Sequence, residues 1–132
     1  MVERFTTLGK LKESVLSIVR GQKITYVTDA VLSEDNAARI VTLANTSDYL
    51  FIETPFLGND EERAGARNHL TTRQAGRLAC KAGVSQVIPF HFSPRYQCDA
   101  ARFREEVANE FQEKSRERVK PDEVMDISAV RK

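Results

Sequence analysis

The sequence predicts an α/β domain, and three observations support this fold class. Short apolar runs typical of strands alternate with helix-spaced apolar positions from residue 23 to residue 90, as in proteins that layer helices on a sheet. The 132 residues are close to the commonest domain length, and a hydrophobic content of 41% is enough for a core. No repeat or linker divides the chain, so residues 1–132 are predicted to form a single domain.

The first predicted elements are a β-hairpin and a helix. Residues 15–19 and 24–27 are β-rich runs, and the four residues between them can turn, which predicts a hairpin over residues 14–28. Ser33 then precedes small and apolar positions at helical spacing, so we expect a helix capped by Ser33 that ends near Asn45.

A strand, a loop and a second helix follow. Residues 49–52 are nearly all apolar, as in a strand covered on both faces, and residues 54–60 carry the Pro, Gly and Asn typical of a loop. Thr71 and Gln74 have capping-box spacing ahead of the next apolar-periodic segment. Gly83 stands where a helix C-terminal glycine belongs.

Three further elements complete the prediction. Residues 86–90 read as a strand, and residues 99–118 carry large apolar side chains at four-residue steps, as in an amphipathic helix. Residues 124–127 are predicted to form a last short strand.

Composition excludes several classes of protein. No run of about 18 apolar residues is present, which excludes a membrane-spanning helix, and the charged N-terminus does not fit a secretory signal. The formal charge of +1 excludes a strongly polyanion-seeking chain, although not a local basic patch. Cys80 and Cys98 fit no metal or disulfide spacing, so we expect reduced thiols and a cytoplasmic protein.

Four polar residues stand where chemistry is expected. Asp29, Glu53 and His91 each follow an apolar strand, and strand ends are where open α/β sheets place ligands and catalytic groups. His69 lies just before a helix start, where free N–H groups favour an anion. Carboxylates and imidazoles are ligand types used by zinc and manganese. Each residue also has a structural interpretation, as a turn cap, a solvated charge or a structural histidine.

A family signature covers residues 69–96, which read HLTTRQAGRLACKAGVSQVIPFHFSPRY. This run resembles the C-terminal part of ribonuclease Z, the tRNA 3′-processing endonuclease of the metallo-β-lactamase superfamily. Upstream, ITYVTDA (24–30) resembles the family's strand and aspartate motif, and YLFIETPF (49–56) resembles its His-Glu-Ala-Thr loop.

The resemblance implies a role for each matching position. Asp29 matches the aspartate that bridges two zinc ions, and His91 matches the last histidine ligand. Glu53 and His69 match a pair proposed to assist proton transfer and to hold the scissile phosphate. On physical grounds we expect phosphate oxygens to be held by Ser93, Arg95 and the helix N-terminus at Thr71 and Thr72.

The family's His-x-His-x-Asp-His motif is absent, and the chain has only two histidines. The resemblance therefore implies the C-terminal half only, one αβ half of the four-layer αβ/βα metallo-β-lactamase fold. We expect zinc binding to be weak or absent in this chain alone. The expected partner is the missing N-terminal half, or a second copy in a homodimer, and the expected substrate is tRNA rather than a membrane component.

Three functional hypotheses follow. The first is one half of a zinc-dependent RNA endonuclease, and the second is a non-catalytic interaction module that keeps the half-fold. The third is an RNA-binding module that uses basic residues, namely Arg73, Arg77, Lys81 and Arg95; the near-neutral charge counts against it. For the first two, we expect association through a sheet face lined by Ile24, Tyr26, Phe51, Val87 and Phe90.

Overall fold

The computed structural model describes residues 5–17, 19–97 and 99–118. The helices are α1 (Leu8–Val15), α2 (Glu34–Ala44), α3 (Glu61–Ala66), α4 (Thr72–Ala82) and α5 (Ala100–Arg118), and the strands are β1 (Ile24–Val27), β2 (Tyr49–Glu53) and β3 (Gln86–Phe90). Two 3-10 turns, Gly58–Asp60 and Pro94–Tyr96, follow β2 and β3. None of the helices in these residues is long and apolar enough to cross a membrane.

The sheet has three parallel strands in the order β1-β2-β3. Its register aligns Tyr26 with Phe51, and Phe51 with Ile88, so their side chains share one face. Because all three strands run the same way, their carboxyl ends meet at one edge of the sheet. That edge brings together the residues that follow the three strands.

Helices α2 and α4 pack against the sheet around a buried apolar core. Leu50 and Ile52 of the central strand are fully buried there, together with Leu78 and Ala79 of α4. Complete burial of an aliphatic side chain contributes about 1.5–3 kcal/mol to folding. The core therefore fixes β2 and, with it, the position of Glu53 at its end.

The predicted helix signals are confirmed. Ser33 caps α2, because its Oγ accepts the Asn36 N–H at 3.1 Å. Thr71 and Gln74 form both hydrogen bonds of the capping box at the start of α4. Gly83 ends α4 with φ 63°, a left-handed conformation that glycine adopts without steric cost.

The predicted hairpin over residues 14–28 is wrong. Residues 8–15 form α1, capped by Thr7, and residues 16–17 and 19–23 are not in a strand. The segment LGKLKESV is rich in helix formers, and this local preference decides its structure. Sequence reasoning also missed α3, while the strand expected at residues 124–127 lies outside the described residues.

The face of the sheet opposite α2 and α4 carries large apolar side chains. They are Ile24, Tyr26, Phe51, Ile88 and Phe90, and we call them the open sheet face. The Tyr26 and Phe90 rings stack 4.9 Å apart, and Ile24 and Tyr26 are 61% and 60% exposed. The prediction that Val87 lies on this face is wrong, because Val87 pairs with Leu50 and packs against the core.

Candidate active site

Glu53 is the centre of the candidate site. It is the last residue of β2, and only 3% of it is exposed. Its Oε2 accepts the Asp29 backbone N–H at 2.6 Å and the Thr28 hydroxyl at 2.8 Å. The carboxylate therefore ties the end of β1 to the end of β2.

His91 follows β3 and binds the other oxygen of this carboxylate. Its Nδ1 forms a short hydrogen bond with Glu53 Oε1. An ionised carboxylate can only accept, so Nδ1 carries a proton, and in the neutral ring the lone pair is then on Nε2. Metal-binding histidines are oriented in this way by a carboxylate behind them.

His69 approaches the same oxygen without bonding to it. Its Nδ1 lies 3.6 Å from Glu53 Oε1, which is too long for a hydrogen bond. This nitrogen is buried and has no hydrogen-bond partner in the described part of the chain, although 22% of the side chain is exposed. The His69 and His91 rings stand edge to face, 6.4 Å apart.

Backbone strain marks the two outer strand ends. Asp29 after β1 and His91 after β3 adopt left-handed conformations, with φ of 49° and 58°. Residues other than glycine adopt this conformation at a cost in free energy and keep it only where their surroundings hold them. At these positions, hydrogen bonds to Glu53 help to hold both residues.

The environment of Glu53 favours its charged form. Burial by itself would raise the pKa of Glu53. Hydrogen bonds from Asp29 and Thr28, together with the two nearby histidines, outweigh burial and lower the pKa below its ordinary value. The site therefore contains a carboxylate that stays ionised at neutral pH.

The donor set fits a metal ion. One ligand atom each from Asp29, Glu53 and His69 lies within 4.8 Å of the others. Of the two metal ligands predicted from the sequence, Asp29 belongs to this group. His91 does not, but its hydrogen bond to Glu53 connects it to the group.

The predicted phosphate-binding residues differ in their surroundings. Ser93 is half-buried beside the site, and its N–H donates to the Pro55 carbonyl at 3.3 Å. Arg95 is exposed, and its guanidinium lies over the Tyr96 ring. Thr71 is fully buried, and both its N–H and its Oγ bond to Gln74 in the capping box. Thr71 is therefore the least available of the three predicted phosphate ligands.

The basic face considered for RNA binding is partly neutralised by α5. Arg73 lies 3.5 Å from Glu106, and Arg77 lies 3.1 Å from Glu110. These arginines link α4 to α5, so they do not form a free positive surface with Lys81. The contacts weaken the hypothesis of an RNA-binding module.

Sequence reasoning missed the partners that hold the site in place. Thr28 donates to Glu53, and the Tyr96 hydroxyl donates to Asp60. Thr28 stands directly before Asp29 in the run ITYVTDA, and nothing in that run marked it as a donor to Glu53. No sequence signal indicated that Tyr96 and Asp60 meet.

The chain is similar in sequence to several curated proteins. Ribonuclease Z from Streptomyces coelicolor is 40% identical over 96 residues, covering 72% of this chain and 31% of the relative. Ribonuclease Z from Streptomyces avermitilis is 39% identical over 112 residues, covering 84% and 36%. The chain thus spans about a third of the length of these curated relatives. No family model matches the chain.

Two solved structures have a similar fold. The metallo-beta-lactamase fold protein YhfI from Bacillus subtilis superposes with a TM-score of 0.58 at 19% identity, covering 68% of this chain and 34% of YhfI. The short form of human tRNase Z superposes with a TM-score of 0.50 at 27% identity, covering 58% and 29%.

The class that fold and site define is the metallo-β-lactamase fold, of which this α/β chain represents one part. The predicted fold class is confirmed. Within that class, the chain is similar in sequence to ribonuclease Z, and the predicted resemblance is confirmed as well.

Proposed function

We propose that the chain is the C-terminal half of a ribonuclease Z-like phosphodiesterase that cleaves precursor tRNA and is incomplete alone. The observation that carries the proposal is the cluster around Glu53, where Asp29, His69 and His91 meet at the carboxyl ends of the strands. The similarity to ribonuclease Z supports the same reading. The proposal includes a cytoplasmic location, in keeping with the expected reduced thiols.

Asp29 and His91 would hold zinc from this side of the site, and the missing half would supply the remaining ligands. Bound zinc supplies hydroxide at neutral pH and neutralises charge on the phosphate. Glu53 orients His91 through the hydrogen bond to Nδ1, and Nε2 would be the nitrogen that binds the metal. In this proposal Glu53 orients the His91 ring and is not itself a zinc ligand.

Proton transfer to the leaving oxygen is the proposed task of His69. The Glu53 carboxylate lies 3.6 Å from His69 Nδ1, so the two side chains are direct neighbours in the site. A general acid must reach the leaving oxygen, and His69 is partly exposed while Glu53 is buried. Glu53 is the carboxylate that lies beside His69, and we propose that Ser93 and Arg95 bind phosphate oxygens.

The partner required by the proposal would cover the open sheet face. Ile24 and Tyr26 remain largely exposed there, and exposed apolar patches of this kind are typical of interfaces. The expected occupant is the missing N-terminal half, and a second copy in a homodimer is the alternative. A non-catalytic interaction module would use the same face, but it would give no reason for the bonded cluster around Glu53.

The test is a graft into a complete enzyme. The segment of Streptomyces coelicolor ribonuclease Z that matches this chain is replaced by the chain itself, and cleavage of precursor tRNA is measured. We expect cleavage that His69→Ala lowers by about 100-fold or more, as for loss of a general acid. The exposed Asp35→Ala is the matched control and should leave the rate unchanged. A folded graft without cleavage would favour the non-catalytic module.

A further inference from the structure

Two loops enclose the candidate site and are joined at their bases. The β2 loop comprises residues 54–60, and the β3 loop comprises residues 91–97. The Thr54 N–H donates to the Phe90 carbonyl at 3.0 Å, and the Ser93 N–H donates to the Pro55 carbonyl at 3.3 Å. Backbone hydrogen bonds therefore connect the loops where they leave the sheet.

Tyr96 joins the far ends of the same loops. Its hydroxyl donates to the Asp60 carboxylate in a short hydrogen bond, and the Leu57 backbone bonds to the hydroxyl as well. Burial and the Asp60 carboxylate raise the pKa of Tyr96, so the hydroxyl keeps its proton at neutral pH. One side chain of the β3 loop thus holds two residues of the β2 loop.

Helix α5 contacts both loops. The Tyr96 ring packs edge-on against the fully buried Phe103, with centroids 5.2 Å apart. Glu106, one turn further along α5, accepts the Gly58 N–H at 2.9 Å and also bonds to the Thr72 hydroxyl. The β2 loop is therefore tied to α5 and α4 by bonds that do not involve the β3 loop.

The β3 loop begins and ends in strained conformations. His91 and Gln97 are both left-handed, with φ of 58° and 55°, and neither is glycine. Such a conformation persists only where surrounding contacts determine it. At the start of the loop, the hydrogen bond to Glu53 holds His91. At the end of the loop, the hydrogen bond of Tyr96 to Asp60 holds the residue next to Gln97.

We propose that Tyr96 is a positioning residue for His91, because its hydrogen bond to Asp60 latches the β3 loop in the shape that brings His91 Nδ1 to Glu53. The latch determines which imidazole nitrogen carries the proton. Its consequence for metal binding rests on the proposed function, whereas the latch itself does not.

The test measures the imidazole tautomer of His91 by ¹⁵N NMR in the full chain, without metal, at a pH where the ring is neutral. In the unchanged protein we expect the proton on Nδ1, held by Glu53. Tyr96→Phe removes one oxygen and should shift His91 towards the Nε2-protonated form that free imidazole favours. Tyr49→Phe is the matched control, because it removes the same group at the opposite end of the sheet and should change nothing.

The partner residue provides the second arm of the test. Asp60→Ala should reproduce the tautomer shift of His91. Asp60→Asn should preserve the tautomer, because the amide keeps an acceptor oxygen. The double variant Tyr96→Phe/Asp60→Ala should shift the tautomer no further than either single change. If Tyr96→Phe fails to fold, as judged by circular dichroism, Asp60→Ala decides, because it leaves the packed ring in place.

An unchanged His91 tautomer in a folded Tyr96→Phe or Asp60→Ala chain would overturn the proposal. The readout requires neither zinc nor RNA. An inactive graft together with the expected tautomer shift would therefore contradict the proposed function and leave the latch standing.

Discussion

At the scale of single residues, the main finding is that one buried carboxylate holds three strand ends together. Glu53 accepts hydrogen bonds from Thr28, Asp29 and His91, and its environment keeps it ionised. Burying a charge is unfavourable unless hydrogen bonds replace the lost water. The cluster supplies those bonds from residues that also carry the proposed chemistry, so stability and function depend on the same side chain.

Glu53→Gln should destabilise the fold. The amide offers one acceptor oxygen where the carboxylate offered two, so one buried donor loses its partner, at a cost of about 1–3 kcal/mol. Urea unfolding at pH 7 measures the change, and the exposed Glu105→Gln serves as control, with an expected effect near zero. Equal stability of the two variants would contradict the role of Glu53 at the centre of the site.

Glu53→Gln should also reduce the loss of folding stability at acid pH. The pKa of Glu53 is lower in the folded chain than its ordinary value of 4.5. Its contribution to stability is therefore fully present above that ordinary value and is lost as the pH falls through the folded-state pKa. Unfolding free energies across this acid range should fall more steeply for the unchanged protein than for Glu53→Gln. Parallel curves would argue against the lowered pKa.

At the scale of elements, α4 and α5 cross so closely that one glycine is required. A Cβ on Gly76 would lie 2.8 Å from the Val107 carbonyl oxygen and 2.8 Å from the Glu110 side chain. Because α5 also carries Phe103 and Glu106, this crossing sets the positions of both loops around the site.

Gly76→Ala should therefore destabilise the chain by about 1–3 kcal/mol, as overpacking usually does. Gly65→Ala in α3 is the matched control, since nothing lies within 4 Å of its added Cβ. The control should be neutral or slightly stabilising, because alanine favours a helix by up to about 1 kcal/mol over glycine. Thermal unfolding compares the two, and a Gly76→Ala chain as stable as Gly65→Ala would contradict the close crossing.

The elements differ in how well the sequence predicts them. The sequence predicts α2 and α4 from their caps at Ser33 and Thr71, because the hydrogen bonds of a cap join residues only three positions apart. In the strand-like run predicted at 15–19, the described residues 15–17 and 19 are not in a strand, since strand formation depends on a partner that lies elsewhere in the chain. For the same reason Asp29, Glu53, His69 and His91 could be proposed from strand ends and family motifs, whereas the pairing of Tyr96 with Asp60, 36 residues apart, could not.

At the scale of the whole molecule, the open sheet face makes association the expected state. We expect the chain to form a dimer or larger assembly at micromolar concentration, measured by light scattering. Tyr26→Glu, on this face, should increase the monomer fraction. Leu43→Glu on α2, which is similarly exposed at 58%, should not. A monomeric unchanged chain would mean that other parts of the protein cover the face.

The central claim is that this chain supplies part of a metal centre that another half completes. Zinc content after dialysis tests it most directly, in the isolated chain and in the grafted enzyme. Because the isolated chain offers only part of a ligand shell, we expect it to retain no stoichiometric zinc, and we expect the graft to retain zinc and to lose part of it with Asp29→Ala. One tightly held zinc per monomeric isolated chain, or an Asp29→Ala graft with undiminished zinc, would contradict the account.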